Sequence, residues 1–438
     1  MPRPDTREPE DRRTASAGSG SSRIPLSLMG EQNMGLFDNF ARSIGLRDER
    51  TISYSDCEQL YRNGNYKKAF ERCLKYTMEN EDARIWTMLG DMYRTGKGCI
   101  VNPAESFNWM FKAASTGIPE AEYHVGKMFE DGFGTQRDPT ESLMWITKAA
   151  NHKYPEAAYE LGDMYANGDR IPYDQSKAYH YYLIAAKAGY PQAECALGLI
   201  YYTDNASAAN YYQAIKWFKK AAQHGMLDAN YNLAQAYAQN RFPGRNLDEY
   251  IKNITIAAQG GIDAAVMELG CAYFDGFGVP RNYSKALEWL QHPLLCSNVE
   301  ALKKLGFMYE MGLGTEPNRD KAYEKYTQAA NLGSSFAKYK LGSFMYSNGN
   351  KSEAFKWYRE SAEHAFPLAQ ARLAEMYYLG DGIPVDHHQS YFYAYFASRL
   401  GVPGFTDNIE KYKMSLTEAD VNKIEKEVNT LLSPVKDD

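Results

Sequence analysis

The sequence predicts an all-α protein, a solenoid of antiparallel helix pairs stacked one on the next. Three observations carry that reading. A Leu-Gly pair with an aromatic residue three positions on recurs every 36 residues. A turn rich in glycine follows most copies. A second helix-like run with an Ala-Ala pair then closes on another glycine. Neither run can bury its apolar stripe alone, so the pairs must lean on one another.

The first ladder reads Leu89-Gly90, Val125-Gly126, Leu161-Gly162, Leu197-Gly198, Leu233-Ala234, Leu269-Gly270, Leu305-Gly306 and Leu341-Gly342, with Leu373-Ala374 after a shorter step of 32. In "AAYELGDMYANG" the spacing places Ala157, Leu161 and Tyr165 on one helical stripe. Gly162 inside that helix costs about 1 kcal/mol relative to alanine, and close approach of the partner helix explains it. Twenty residues past each Leu runs Trp109, Trp145, Tyr181, Trp217, Asn253, Trp289 and Lys325, then Trp357 after the shortened turn. In "QSKAYHYYLIAAKAG" the expected inner face of the second helix is Ala178, Tyr181 and Ala185, with Gly189 ending it.

The connecting loops raise a separate question. "DGFGVPRN" at Asp275, like "DGFGTQRD" at Asp131, has the look of a phosphate cradle. A phosphate loop occurs once per site, follows a strand and carries a fuller fingerprint. A loop that recurs with the period is a turn, its glycines supplying positive φ, and the Pro, Asp or Asn after it starts the next helix.

This pattern resembles the Sel-one-like repeat family, relatives of the tetratricopeptide repeat with a longer internal turn. "AVMELGCAYFDGFGVPRNYSKALEWL" from Ala265 and "AEYHVGKMFEDGFGTQRDPTESLMWITKAA" from Ala121 are close copies of its consensus. The resemblance implies a right-handed superhelix whose first helices line a concave groove. It also implies adaptor or scaffold work, and it is similar in this to bacterial members of the family. The expected organisation is a disordered tail with a short amphipathic stretch over 1–50, a tetratricopeptide-like capping unit over 51–84, nine repeats over 85–404, and a C-terminal capping helix and tail over 405–438. Met34 is an alternative start to Met1, and lipidation there is not expected because the Ser or Thr that myristoylation favours is missing. In "MSLTEADVNKIEKEVNTLL" Ser415 and Glu418 have capping-box spacing, and Val421, Ile424, Val428 and Leu431 form one face.

The array departs from its own pattern in places. "TDNASAAN" and "QNRFPGRN" replace the glycine loop in repeats four and five, and Pro293 should cut the second helix of repeat six short. Partner-specific surface and tolerated variation both fit these departures. Repeat eight, with "SNGNKSEA", reads as a tighter turn.

By analogy with related solenoids, the residue two before each Leu points into the groove, as does the residue after each Gly. The first set contains Tyr123, Tyr159, Tyr231 and Tyr339, and the second Asp91, Lys127, Asp163 and Phe307. Aromatic rings with a polar tip suit interfaces. The other reading of the tyrosines is packing against the next repeat. Cys195 and Cys271 fall at the same positions and read as small apolar filling.

Nothing points to chemistry. The eight histidines make no H-E-x-x-H and no ligand set with cysteine. "SFAK" from Ser335 has S-x-x-K spacing without its companion motifs. A net charge of −6 with no long basic run argues against nucleic acid as partner. No apolar run approaches the ~20 residues of a membrane span. Six cysteines without a C-x-x-C pair fit reduced thiols and a cytoplasmic setting. The expectation is therefore a non-enzymatic scaffold, with no catalytic residue, metal or cofactor, that binds another protein or peptide segment through its groove. The alternative is a cytosolic inhibitor or immunity-type protein that clasps a toxin or enzyme.

Overall fold

The computed structural model describes residues 52–203, 208–239, 246–405 and 409–433. The N-terminal tail, the Met34 start, and most of the irregular loops of repeats four and five lie outside these residues. Two compact units divide the chain after His152, and each is described by itself. Among the described residues every regular element is helical, so the all-α class and the consecutive helix pairing read from the sequence are those of the structure.

The first unit holds α1 (Tyr54–Arg62), α2 (Tyr66–Tyr76), α3 (Ala83–Thr95), α4 (Pro103–Ala114), α5 (Pro119–Asp131) and α6 (Pro139–Asn151). The second begins with α7 (Pro155–Asn167), α8 (Gln175–Lys187), α9 (Pro191–Thr203), α10 (Ala208–Gln223), α11 (Leu227–Ala238) and α12 (Leu247–Gln259). It continues with α13 (Asp263–Asp275), α14 (Tyr283–Leu290), α15 (Val299–Met311), α16 (Arg319–Asn331), α17 (Ser335–Ser347) and α18 (Lys351–Ala362). It ends with α19 (Pro367–Leu379), α20 (His387–Arg399), α21 (Ile409–Lys413) and α22 (Glu418–Leu432). From α3 to α19 the odd-numbered helices carry the Leu-Gly pair, and each packs on the even-numbered helix that follows it.

Local chemistry sets these boundaries. Asn102, Asp138, Asp174, Asn282, Asn318 and Asp386 each accept a backbone N–H of the first turn of an even helix. Proline occupies the first position of α5, α7 and α19, where no amide hydrogen is needed. Pro293 has the expected effect: α14 stops at Leu290, and a short 3-10 turn, Pro293–Leu295, takes over.

The recurring glycine loop has two jobs. Gly132 sits at φ 72° and ends α5 in the left-handed conformation. Gly134, at φ 74°, lies so close to the start of α4 that a Cβ would collide with the Pro103 carbonyl. The second glycine thus docks each loop on the preceding repeat. Repeat three has only the first of the pair, and Arg170 occupies the second place with φ 64°.

The helical glycine has a separate cause. A Cβ on Gly162 would stand 2.7 Å from the Tyr182 ring, and one on Gly306 would stand 2.6 Å from Tyr326. Gly126 meets Ile146, Gly198 meets Phe218 and Gly342 meets Tyr358 in the same way. The large side chain of the even helix fills the space a methyl would need. Each buried ring or aliphatic chain contributes roughly 1.5–3 kcal/mol, more than the glycine costs.

This contact corrects the inner face expected for α8. Tyr182 is buried at 5% exposure, whereas Tyr181 is half-buried and stacks on Tyr165. The expected ladder of Trp109, Trp145 and Trp217 lies one residue before the side chains that meet the glycines. Lys148 and Lys220 lie over the rings of Trp145 and Trp217 at 4.2 and 4.4 Å.

At the C-terminus the capping box is made by Thr417 and Asp420 instead of Ser415 and Glu418. Thr417 has the extended backbone that an N-cap needs. Ile424 and Val428 are buried as expected, but Leu431 is 61% exposed and Leu432 packs inward in its place.

Candidate functional site

Among the described residues, two odd helices of the second unit form a cleft on which some of the sequence-derived positions converge. It lies between α7 and α9 with the N-terminal half of α8 beneath, and has a volume of about 390 Å³. Four of the positions read from the sequence line it: Tyr159 and Asp163 from α7, Cys195 and Leu199 from α9. Tyr173 and Met226 also line it. Leu199 is 42% and Tyr173 63% exposed, so the walls are apolar and open to solvent.

Each wall residue is held by the repeat frame. Gly162 lets α7 settle against Tyr182, which brings the Tyr182 hydroxyl to Asp163 Oδ1, where it donates a hydrogen bond of 2.5 Å. The Tyr159 ring packs 5.8 Å from Tyr182 and 5.3 Å from Tyr190. Tyr159 is therefore part packing and part wall, and it remains half-buried. Cys195 is buried and accepts a 3.3 Å contact from the Asn232 side-chain amide of α11, as befits a filling residue.

The electrostatics of this face are one-sided. Burial raises the Tyr159 phenol, and the Asp163 charge and a hydrogen bond to Asp163 raise it further. Burial and then the fields of Glu156, Glu160 and Asp163 raise Tyr190 at the root of α9. Burial pushes the Cys195 thiol up to about 11; the Asn232 contact opposes this and Asp228 adds to it. A thiol held that high is not a nucleophile near neutral pH. Tyr231 is raised by burial, then by Glu268.

The remaining predicted positions are not gathered into the cleft. Tyr231 is half-buried on α11, beside Gln235, which donates to Glu268 of α13. Tyr339 packs against Phe366 at 5.4 Å and Tyr358 at 5.7 Å. Phe307 is exposed on α15 and lies near the Phe274 ring. In the first unit Tyr123 is half-buried, Lys127 pairs with Glu130, and Asp91 accepts from Tyr61 at 2.7 Å and pairs with Arg94. Lys338 of the "SFAK" stretch is ion-paired to Glu360 at 3.1 Å.

Sequence reasoning missed Ala166, Tyr173 and Ala196, which also line the cleft. The signal was present in the columns of the repeat: two alanines stand where repeat seven has Glu310 and Lys340.

The Sel1 repeat family model matches residues 87–117, 119–154, 155–190, 191–226, 263–291, 299–334, 335–366 and 367–402. The chain belongs to the Sel1 repeat family. The stretch 227–262, with its irregular loop, is the one expected repeat that the model passes over, yet α11 and α12 pair there as their counterparts do. No curated protein matches this Sel1 repeat chain. A protective antigen of uropathogenic Escherichia coli with the SLR fold is 22% identical over 82% of this chain and 94% of its own, with a TM-score of 0.54. That likeness establishes the fold. A Sel1 repeat protein of Oxalobacter formigenes is 23% identical over 55% of this chain and 96% of its own, with a TM-score of 0.47. An immunity protein of Pseudomonas aeruginosa is 16% identical over 58% of this chain and 83% of its own, with a TM-score of 0.29. That overlap is too low to carry a toxin-clasping role. Among the described residues no helix is long and apolar enough to cross a membrane.

Proposed function

We propose that this Sel1 repeat protein is a non-enzymatic scaffold that binds a segment of a partner protein against its odd-numbered helices, with the α7–α9 cleft as anchor. The observation that carries the reading is the cleft itself. Half-buried Tyr159 and exposed Leu199 and Tyr173 line a concavity whose shape is fixed by helix packing. A preformed site loses little freedom on binding, and tyrosine walls supply contact area together with a polar tip. The Sel1 repeat is a fold used for protein–protein interaction, which supports the same reading.

The test compares immobilised full-length wild type with Leu199→Ser and Tyr159→Ala variants, retained proteins being identified by mass spectrometry. At least one protein held by the wild type is expected to be lost from both variants while helical circular dichroism is kept. Leu199 is the safer probe because its side chain is exposed. An unchanged set of retained proteins on Leu199→Ser contradicts the proposal.

A further inference from the structure

We propose that the α7–α9 cleft takes an arginine or lysine side chain from a basic segment of the partner protein, its stem against the tyrosine and leucine walls and its charge on Asp163. The inference rests on the docking reading above and adds the chemistry of what docks.

The first support is an unmatched charge inside an apolar cleft. Three carboxylates on odd helices of other repeats have cations of their own. Asp91 has Arg94 at 2.5 Å, Glu310 has Lys340 at 2.9 Å, and Glu375 has Arg372 at 2.8 Å. Asp163 receives the Tyr182 hydroxyl and is also hydrogen-bonded by Tyr159, but among the described residues lining the cleft there is no lysine or arginine. A carboxylate has about four lone-pair sites, so Asp163 can accept from an incoming guanidinium or ammonium while keeping Tyr182 and Tyr159.

The second support is charge complementarity on the surrounding face. Helices α7, α9, α11 and α13 together carry eight carboxylates and no lysine or arginine. The paired helices α8, α10, α12 and α14 carry seven lysines against three acids. The charge is thus segregated between the two helices of each pair. One of the eight, Glu194, is buried against His224 at 2.8 Å and does not face a partner; Asp228 and Asp263 are exposed.

The walls fit the same occupant. Long basic side chains lay their methylenes on apolar surface and keep the charged head at a polar tip. Tyr159 and Tyr173 offer ring faces that attract a cation. The volume of about 390 Å³ falls in the range of roughly 300–1,000 Å³ found for ligand-holding clefts. An acidic segment would meet the like charge of Asp163 in the cleft. A purely apolar one would cover Asp163 without pairing it, which is strongly unfavourable.

The experiment measures fluorescence anisotropy of three labelled peptides on the full chain: four copies each of Arg-Leu-Ser, Gln-Leu-Ser and Glu-Leu-Ser. The arginine peptide is expected to bind about tenfold or more tighter than the glutamine peptide, and to weaken as salt is raised. Asp163→Asn should weaken the arginine peptide about tenfold and leave the glutamine peptide within about twofold, the size expected for loss of one charged hydrogen bond. Asp131→Asn, an exposed acid of the other unit, is the control and should change neither. Equal binding of the arginine and glutamine peptides, tighter binding of the glutamate peptide, no binding of any peptide, or no effect of Asp163→Asn would overturn the inference. The docking reading is judged apart from these results. It stands if the glutamine peptide binds as well as the arginine peptide and Leu199→Ser weakens both, and it fails on the unchanged capture described above.

Discussion

Repeats three and seven are four periods of 36 residues apart and share one frame, yet they present opposite surfaces. In both, a helical glycine admits a tyrosine ring: Gly162 with Tyr182, Gly306 with Tyr326. In both, the tyrosine hydroxyl donates to a carboxylate of the odd helix, Asp163 at 2.5 Å or Glu310 at 2.8 Å. The difference lies in two columns. Repeat seven has Glu310 and, on the next odd helix, Lys340, and the two close on each other. Repeat three has Ala166 and Ala196 in those columns, and the space between its helices stays open as the cleft. Packing fixes the shared frame, while small residues at two surface columns decide whether a carboxylate has a cation within the chain or an open cleft beside it.

The largest expected effect tests the shared part. Gly162→Ala and Gly306→Ala each push a methyl into a ring at 2.6–2.7 Å. Contacts this close to ring atoms put overpacking in the upper part of its range, about 2–3 kcal/mol, and better helix propensity returns about 1. A net loss of about 1–2 kcal/mol in urea unfolding is expected for each, alike in the two repeats. A neutral Gly306→Ala would mean that close ring packing does not set the frame.

The next effect separates the repeats. Lys340→Met strips Glu310 of its cation and should cost about 0.5–1 kcal/mol, since the pair is partly exposed. Asp163→Asn keeps an acceptor for Tyr182 and removes a charge with no internal cation, so its cost should stay within about 0.5 kcal/mol. Equal losses would erase the distinction between a carboxylate kept for structure and one kept for binding.

The smallest effect concerns pH. Asp91 feels burial, which raises its carboxyl, and the Tyr61 hydroxyl and the Arg94 and Lys97 charges, which together outweigh burial and hold it below the usual range. A folded-state value below the unfolded one adds stability above the unfolded value of about 3.9. That contribution fades as pH falls through the folded value. Asp91→Asn should therefore flatten the acid side of a melting-temperature profile below about pH 4. An unaltered acid limb would show that the Arg94 and Lys97 contacts contribute nothing.

The period, the Leu-Gly pair, the Asp or Asn that starts the second helices, and the break at Pro293 were legible in the sequence because each is a local or strictly recurring signal. The face of α8 was misread by one residue because Tyr181 and Tyr182 are chemically alike, and only the position of Gly162 across the pair selects Tyr182 for the interior. The C-terminal box was misplaced by two residues because Ser415 and Thr417 both have an acid three positions on. Tyr159 and Asp163 were proposed by position, and both line the cleft. The cleft itself was not proposed, because it is made by side chains that are missing: Ala166 and Ala196 carry no signal until the helices are set beside those of repeat seven.

Ala196→Lys imports the Lys340 column into repeat three and tests most directly whether Asp163 is held for an outside cation. Anisotropy of the labelled arginine peptide is the measurement. The expected result is that Ala196→Lys lowers its affinity to that of the glutamine peptide, about tenfold or more, with the melting temperature kept or raised. Full arginine-peptide affinity in a folded Ala196→Lys protein would contradict a basic occupant at this cleft.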